Sequence, residues 1–191
     1  SIILNNNSIG NLNPQERRKY LMAFSPEDRM EQAAIPQMKI FENVALNNFK
    51  SSNFFNKGLI NEKKIKEHSQ KILSDFSVNT KNVELKSQFL SGGNLQKLII
   101  GRELITSPDL LICFNPTWGL DVGAINYIHE TLIKINEQNK SIILISTDTD
   151  ELLKLSDKIS VIHKGRLSKL MNADEVTSEK LGILMGGGEI D

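Results

Sequence analysis

An α/β fold with a mostly parallel core sheet, a helical subdomain and a C-terminal β-hairpin is predicted by three observations. The last third alternates apolar strands with amphipathic helices, the order that builds a parallel sheet. The middle carries two long helical stripes and little strand pattern. Near the end, Lys164-Gly165 separates two short apolar runs, as a hairpin turn does.

In chain order, Ile2–Leu4 reads as the end of a strand, followed by an Asn-rich turn at Asn5–Asn7. Pro14 pre-sets the first turn of a helix that continues through Glu16, Arg17, Arg18 and Lys19. An apolar run, Tyr20–Phe24, ends at Ser25-Pro26. From about Ile40 to Ser107 the pattern is mostly helical. Asn61–Phe76 puts Ile65, Ile72, Leu73 and Phe76 on one face, and Asn94–Thr106 does so with Leu95, Leu98, Ile99 and Ile105. Leu110–Phe114 is a strand, and Val122–Asn136 a helix with Val122, Ile125, Ile128, Leu132 and Ile135 on one side. Ser141–Ile145 (strand), Thr149–Leu155 (short helix), and Lys158–His163 and Arg166–Leu170 (strands) complete the pattern. The tail with Gly186-Gly187-Gly188 reads as frayed or as a linker.

Composition narrows the function. The 191 residues suffice for one domain with a real core, or a domain plus a small lobe. Lys and Arg number 23, as do Asp and Glu, so no whole-chain charge draws the protein to nucleic acid, and no nucleic-acid partner is expected. The one cysteine, Cys113, allows neither an intrachain disulfide nor a cysteine metal site, which suits a reducing cytosol. Apolar runs reach about five residues, far below the roughly 20 that span a bilayer. If the protein works at a membrane, other subunits supply the spanning helices. His68, His129 and His163 have no metal-ligand spacing and read as structural. The opening at Ser1 is abrupt, and a piece of a longer chain is expected.

The sharpest motif is Leu90-Ser91-Gly92-Gly93-Asn94, immediately before an amphipathic helix. Two glycines let backbone approach an anion, the serine adds a hydroxyl, and the helix aims its positive end at the same place. By itself such a loop equally suits a glycine-assisted helix start. Further on, Ser107-Pro108-Asp109 leads into Leu110–Phe114 and then Asn115-Pro116-Thr117-Trp118-Gly119-Leu120-Asp121. A third stretch runs Ile143-Leu144-Ile145-Ser146-Thr147-Asp148 and continues through Asp150-Glu151 to Lys164-Gly165-Arg166.

These three stretches, in this order, resemble the signature motif, the Walker B strand with its D-loop, and the H-loop of ABC ATPases, members of the P-loop NTPase fold. Ser25-Pro26-Glu27-Asp28-Arg29 and Phe41-Glu42-Asn43-Val44 refine the likeness. They are similar to the second ATPase domain of tandem-domain importers for sugars (galactose and ribose type) or nucleosides, in which Glu27 would stand at the Q-loop position. The resemblance runs from Ile2 to about Leu170. It implies three segments before a flexible tail at 186–191: 1–43 and 109–185 as parts of the α/β core, and 44–108 as a helical subdomain ending in the signature helix. It places Gly119, Leu120 and Asp121 at a dimer interface. It makes 44–87 the lobe that docks on membrane subunits; Asn47–Lys57 is either part of that surface or a solvated loop. Trp118 either packs at the interface or lies on the surface.

Departures from the family pattern are as informative. No G-x-x-x-x-G-K-[ST] occurs in these residues; in the family it would precede Leu4. The Walker B aspartate and the following glutamate are replaced by Phe114 and Asn115, and the H-loop histidine by Thr147. A phenyl ring cannot serve a metal and an amide cannot take a proton. Asp121, Asp148 and Asp150 are the acids that could substitute, but the family pattern puts none of them at the Walker B pair. The chain's own catalytic half is therefore expected to be degenerate and the chain alone inactive, with neither ATP nor Mg²⁺ bound to it in isolation. Leu90, Ser91, Gly92, Gly93 and Asn94 would instead cap ATP held by a partner ATPase domain. ATP hydrolysis coupled to import, with Mg²⁺ and permease subunits, would belong to the full assembly at the cytoplasmic face of the membrane. A decayed scaffold domain of such a transporter is the alternative. A DNA-repair or chromosome-structure ATPase would need long coiled-coil heptads between Glu27 and Leu90, which are missing. An isolated fragment is expected to self-associate over an uncovered core face.

Overall fold

The computed structural model describes residues 1–47, 54–56 and 59–188. The chain divides into two compact units, residues 1–143 and 144–191. Each is described by itself.

The first unit opens with a β-hairpin, β1 (Ile3–Leu4) against β2 (Asn7–Ser8). Asn5 and Asn6 take φ of 47° and 63°, the twin positive values of a type I′ turn, which asparagine tolerates. The strand expected to end at Leu4 is present, and its pairing with β2 makes it the first arm of a local hairpin. Helix α1 (Pro14–Lys19) is fixed by a capping box in which Asn13 and Glu16 exchange bonds of 3.0 and 2.9 Å. Strand β3 (Met22–Ser25) follows, then a π-helical turn (Arg29–Ala33) capped by Asp28 and not anticipated from the sequence.

The helical region is α2 (Ile40–Asn47), α3 (Glu62–Asp75) and α4 (Gly92–Leu104). It also contains a small hairpin, β4 (Phe55–Asn56) with β5 (Leu59–Ile60), where the sequence pattern suggested helix or loop. Residues 48–53 and 57–58, most of the stretch read as a docking surface or solvated loop, lie outside the described residues. Ile40, Val44, Ile72, Leu73, Leu95, Leu98 and Ile99 pack into one core. Helix α4 comes close to α3 because position 101 is glycine: a Cβ there would lie 2.6 Å from the Phe76 ring.

Strand β6 (Leu110–Phe114) runs parallel to β3 with Ala23 opposite Leu111 and Ser25 opposite Cys113. Leu111 and Cys113 are 0% exposed. After α5 (Val122–Glu137) comes β7 (Ser141–Ile145), third in the sheet order β3-β6-β7. The stripe of α5 begins differently from the expected one. Val122 is 73% exposed, and Ala124 takes the buried place against α4.

In the second unit, α6 (Thr149–Leu155) is followed by β8 (Lys158–Ile159), β9 (Ile162–His163), β10 (Arg166–Leu167) and β11 (Met171–Asn172). Antiparallel β9–β10 is the expected hairpin, with Lys164 and Gly165 at φ 45° and 77°. The strand expected over 158–163 is broken in the middle, where Ser168 serves Val161 on both sides. Its Oγ accepts from the Val161 N–H at 2.9 Å, and its N–H donates to the Val161 carbonyl at 2.8 Å. The strand expected over 166–170 is likewise short, and Met171 pairs with Ile159 instead. A final helix, α7 (Ser178–Met185), packs Leu181 with Ile159, Val161 and Val176. Gly186, Gly187 and Gly188 close the end of α7. The Gly188 and Gly187 N–H groups close onto the Ile183 and Leu184 carbonyls in a Schellman cap. No helix among the described residues is long and apolar enough to cross a membrane.

Candidate functional site

The Leu90–Asn94 loop sits at the start of α4. Leu90 is buried and anchors the loop, while Ser91 and Gly92 are exposed. Ser91 is the N-cap: its Oγ accepts from the Asn94 N–H at 3.4 Å and from the Asn94 side-chain amide at 2.9 Å. Asn94 in turn accepts from the Asn79 N–H at 2.8 Å, tying the loop to the stretch after α3. The N–H groups of Gly92 and Gly93 belong to the first turn, which has no intrahelical acceptors, and they point out of the positive end of a 13-residue helix. Gly93 is required sterically. A Cβ at this position would lie 2.8 Å from the Ala124 Cβ and 3.6 Å from Asp121 Oδ2.

The segment after β6 lies beside this loop. Asn115 takes φ +43°, is 6% exposed, and donates from its side-chain amide to Glu27 Oε1 at 2.7 Å. The end of β6 and the segment after β3 are thereby joined. Phe114 offers no ligand atom at this end of the strand, and among the described residues no group of three His, Cys, Asp or Glu side chains converges to hold a metal. At this end of the strand Phe114 supplies no metal ligand, whereas the Ser91 loop presents a hydroxyl and helix-start N–H groups, the donor types that suit an anion. Gly119, at φ +66°, turns the chain toward Asp121, whose Oδ1 caps α5 through the Ala124 N–H at 2.9 Å. Trp118 is 66% exposed, so its indole lies on the surface of this chain.

Arg29, overlooked in the sequence, ties these parts together. Its Nε donates to Gln96 Oε1 at 2.9 Å and its Nη2 to the Trp118 carbonyl. Burial pulls its pKa below the ordinary arginine value, and Asp28 beside it opposes that shift. The signal that could have found it is Arg29 following Glu27 in the quoted Pro-Glu-Asp-Arg stretch.

In the second unit, Thr147 is exposed in a bend between β7 and α6. Asp148 caps α6 through the Asp150 and Glu151 N–H groups. Asp150 accepts from the Ser178 hydroxyl at 3.2 Å. Asp121, Asp148 and Asp150, the acids considered as substitutes, thus all have structural bonds.

No family model matches the chain. Its relatives are explicit. The nucleoside import ATP-binding protein NupA of Lactococcus lactis is 39% identical over 191 residues, covering 100% of this chain and 38% of its own length. The guanosine import ATP-binding protein NupO of Bacillus subtilis is 35% identical over 98% of this chain and 37% of its own. The ribose import ATP-binding protein RbsA of Bacillus subtilis is 36% identical over 92% and 35%. Among solved structures, the ATP-binding cassette MJ0796, in a dimeric post-hydrolysis state bound to ADP and Pi, superposes with a TM-score of 0.71 at 22% identity, covering 90% of this chain and 72% of that one. The chain is one ABC domain. This ABC domain spans little more than a third of the length of the curated relatives it matches.

Proposed function

We propose that this ABC domain works as one ATP-binding half of an importer for sugars or nucleosides and supplies its signature loop in trans. The observation that carries the reading is a contrast. The Ser91-Gly92-Gly93 loop offers a hydroxyl and the free N–H groups of a helix start, which suit a phosphate, while the end of β6 presents Phe114 and an Asn115 amide already bonded to Glu27. A partner ABC domain would hold Mg-ATP with its own P-loop and activate water with its own glutamate. Ser91 and the N–H groups of Gly92 and Gly93 would stabilise charge on the γ-phosphate from the other side. Gly119, Leu120 and Asp121 would face the same partner.

The relatives support the coarser part of this reading, since each is named an import ATP-binding protein. The chain's share of their length suits the second domain of a tandem pair, and residues 44–108 would dock on permease subunits at the cytoplasmic face of the membrane. Core segments 1–43 and 109–185 would flank that lobe. Isolated copies would associate through the sheet face that bears Phe24, 40% exposed. A monodisperse monomer in light scattering would oppose that last point.

Calorimetry of the chain with Mg-ATP tests the central claim. No heat up to millimolar ATP is expected, with binding appearing when the partner domain is added. Micromolar binding by the chain alone would overturn it. In the complete assembly, Ser91→Arg should abolish transport. Unchanged transport would favour a scaffold that touches no nucleotide.

A further inference from the structure

Three segments distant in sequence meet at one guanidinium. Nε of Arg29 reaches Gln96, one turn into α4 from the signature loop, at 2.9 Å. Nη2 reaches the carbonyl of Trp118 in the D-loop. Nη1 lies 3.9 Å from the place a Gly92 Cβ would occupy. Gln96 is 1% exposed and turns its amide to Ser25 Oγ at 3.4 Å, so both ends of residues 25–29 close on one glutamine. The Trp118 carbonyl leads through Gly119 to Asp121, the cap of α5, against which Gly93 packs. Nε and Nη2 form one edge of a planar group whose donors have a fixed spacing. One rigid edge thus bridges an acceptor in the first turns of α4 and one in the loop after β6.

We propose that Arg29 is a positioning residue that sets the spacing between the signature loop and the D-loop, so that both meet a partner domain's nucleotide as one surface. The proposal rests on the trans-acting reading above, and Arg29 itself touches no substrate. A lysine ammonium is a point charge on a flexible stem and cannot bridge the same two acceptors. Charge alone is therefore insufficient.

Trp118 is the chain's single tryptophan, which gives a local probe. Indole anisotropy of the chain should fall in both Arg29→Ala and Arg29→Lys, with far-UV circular dichroism unchanged. In the assembled transporter reconstituted in liposomes, both variants should raise the KM for ATP about tenfold, the effect of one or two lost hydrogen bonds, with a much smaller change in kcat. Should Arg29→Ala fail to fold, Arg29→Lys carries the test, since it keeps the charge and most of the stem. Wild-type anisotropy in Arg29→Lys would overturn the proposal. So would an unchanged KM in an assembly that Ser91→Arg disables. If instead anisotropy falls while Ser91→Arg leaves the assembly fully active, the clamp stands and the trans-acting reading fails.

Discussion

Gly93→Ala probes the contact on which the Ser91 loop is seated. The new Cβ would lie 2.8 Å from the Ala124 Cβ, about 0.8 Å short of an ordinary carbon–carbon contact of ~3.6 Å. Ala124 is 6% exposed and its Cβ is rigidly attached to α5, so no flexible side chain can move aside. Overpacking of this kind costs ~1–3 kcal/mol. Replacing a helical glycine by alanine returns up to ~1 kcal/mol, less in the first turn. The net expectation is a loss of about 1 kcal/mol, or ~2–4 °C in Tm for a chain of this size. Because the two terms oppose each other, the decisive experiment is a double-mutant cycle in urea with Ala124→Gly, which removes the opposing methyl. Gly93→Ala should be less damaging in the Ala124→Gly background by ~1–2 kcal/mol. Additive energies, or a Gly93→Ala variant more stable than wild type, would refute the steric argument.

Asn115→Asp would set a carboxylate against Glu27, where an amide now donates at 2.7 Å. A loss of ~1–3 kcal/mol is expected at pH 7 in urea denaturation. The new acid's folded pKa would be raised, so stability should return as pH falls through it. Glu103 is 1% exposed and holds both Arg18 at 2.7 Å and the buried Arg102 at 3.2 Å. Glu103→Ala leaves Arg102 with an uncompensated buried charge and should cost ~3–5 kcal/mol. Arg18→Ala removes a partner 34% exposed and should cost at most ~1 kcal/mol, and comparable losses in urea denaturation would contradict this account. Burial, then Lys71, lowers the His68 pKa, and its ring packs edge-on to Phe54 at 5.2 Å. The unfolded chain takes the proton first, so stability should fall as pH drops below about 6.5 until the depressed folded value is passed. His68→Leu should flatten that slope in denaturation midpoints measured across pH 5–8.

Legibility in the sequence followed the range of the interaction. Helix α3 was readable almost to its ends because its stripe and caps are local: Asn61 and Phe76, the expected limits, are its N-cap and C-cap. Strand β6 and helix α6 were readable to the residue for the same reason. The paired asparagines at 5 and 6 mark a turn in the sequence, and their twin positive φ values make it the turn of a hairpin. Ala124 displaced Val122 from the buried stripe because its neighbour is a glycine 31 positions earlier, which periodicity within α5 cannot register. The site divides the same way. The Ser91 loop and the Phe114-Asn115 pair are written in consecutive residues. The Asn115–Glu27 and Arg29–Gln96 bonds span 88 and 67 positions and exist only once β3 and β6 are paired.

Cys113 sits on β6 opposite Ser25 with none of its surface exposed, and it is the only thiol in the chain. A thiol reagent can reach it only when the packing over its face of the sheet opens locally or the whole unit unfolds. The rate of modification is therefore a clock for opening events, comparable to amide exchange but confined to one atom. Under conditions where reclosing is fast, it reports the free energy of uncovering the face of β6 on which the thiol lies, two residues before Asn115 and its bond to Glu27.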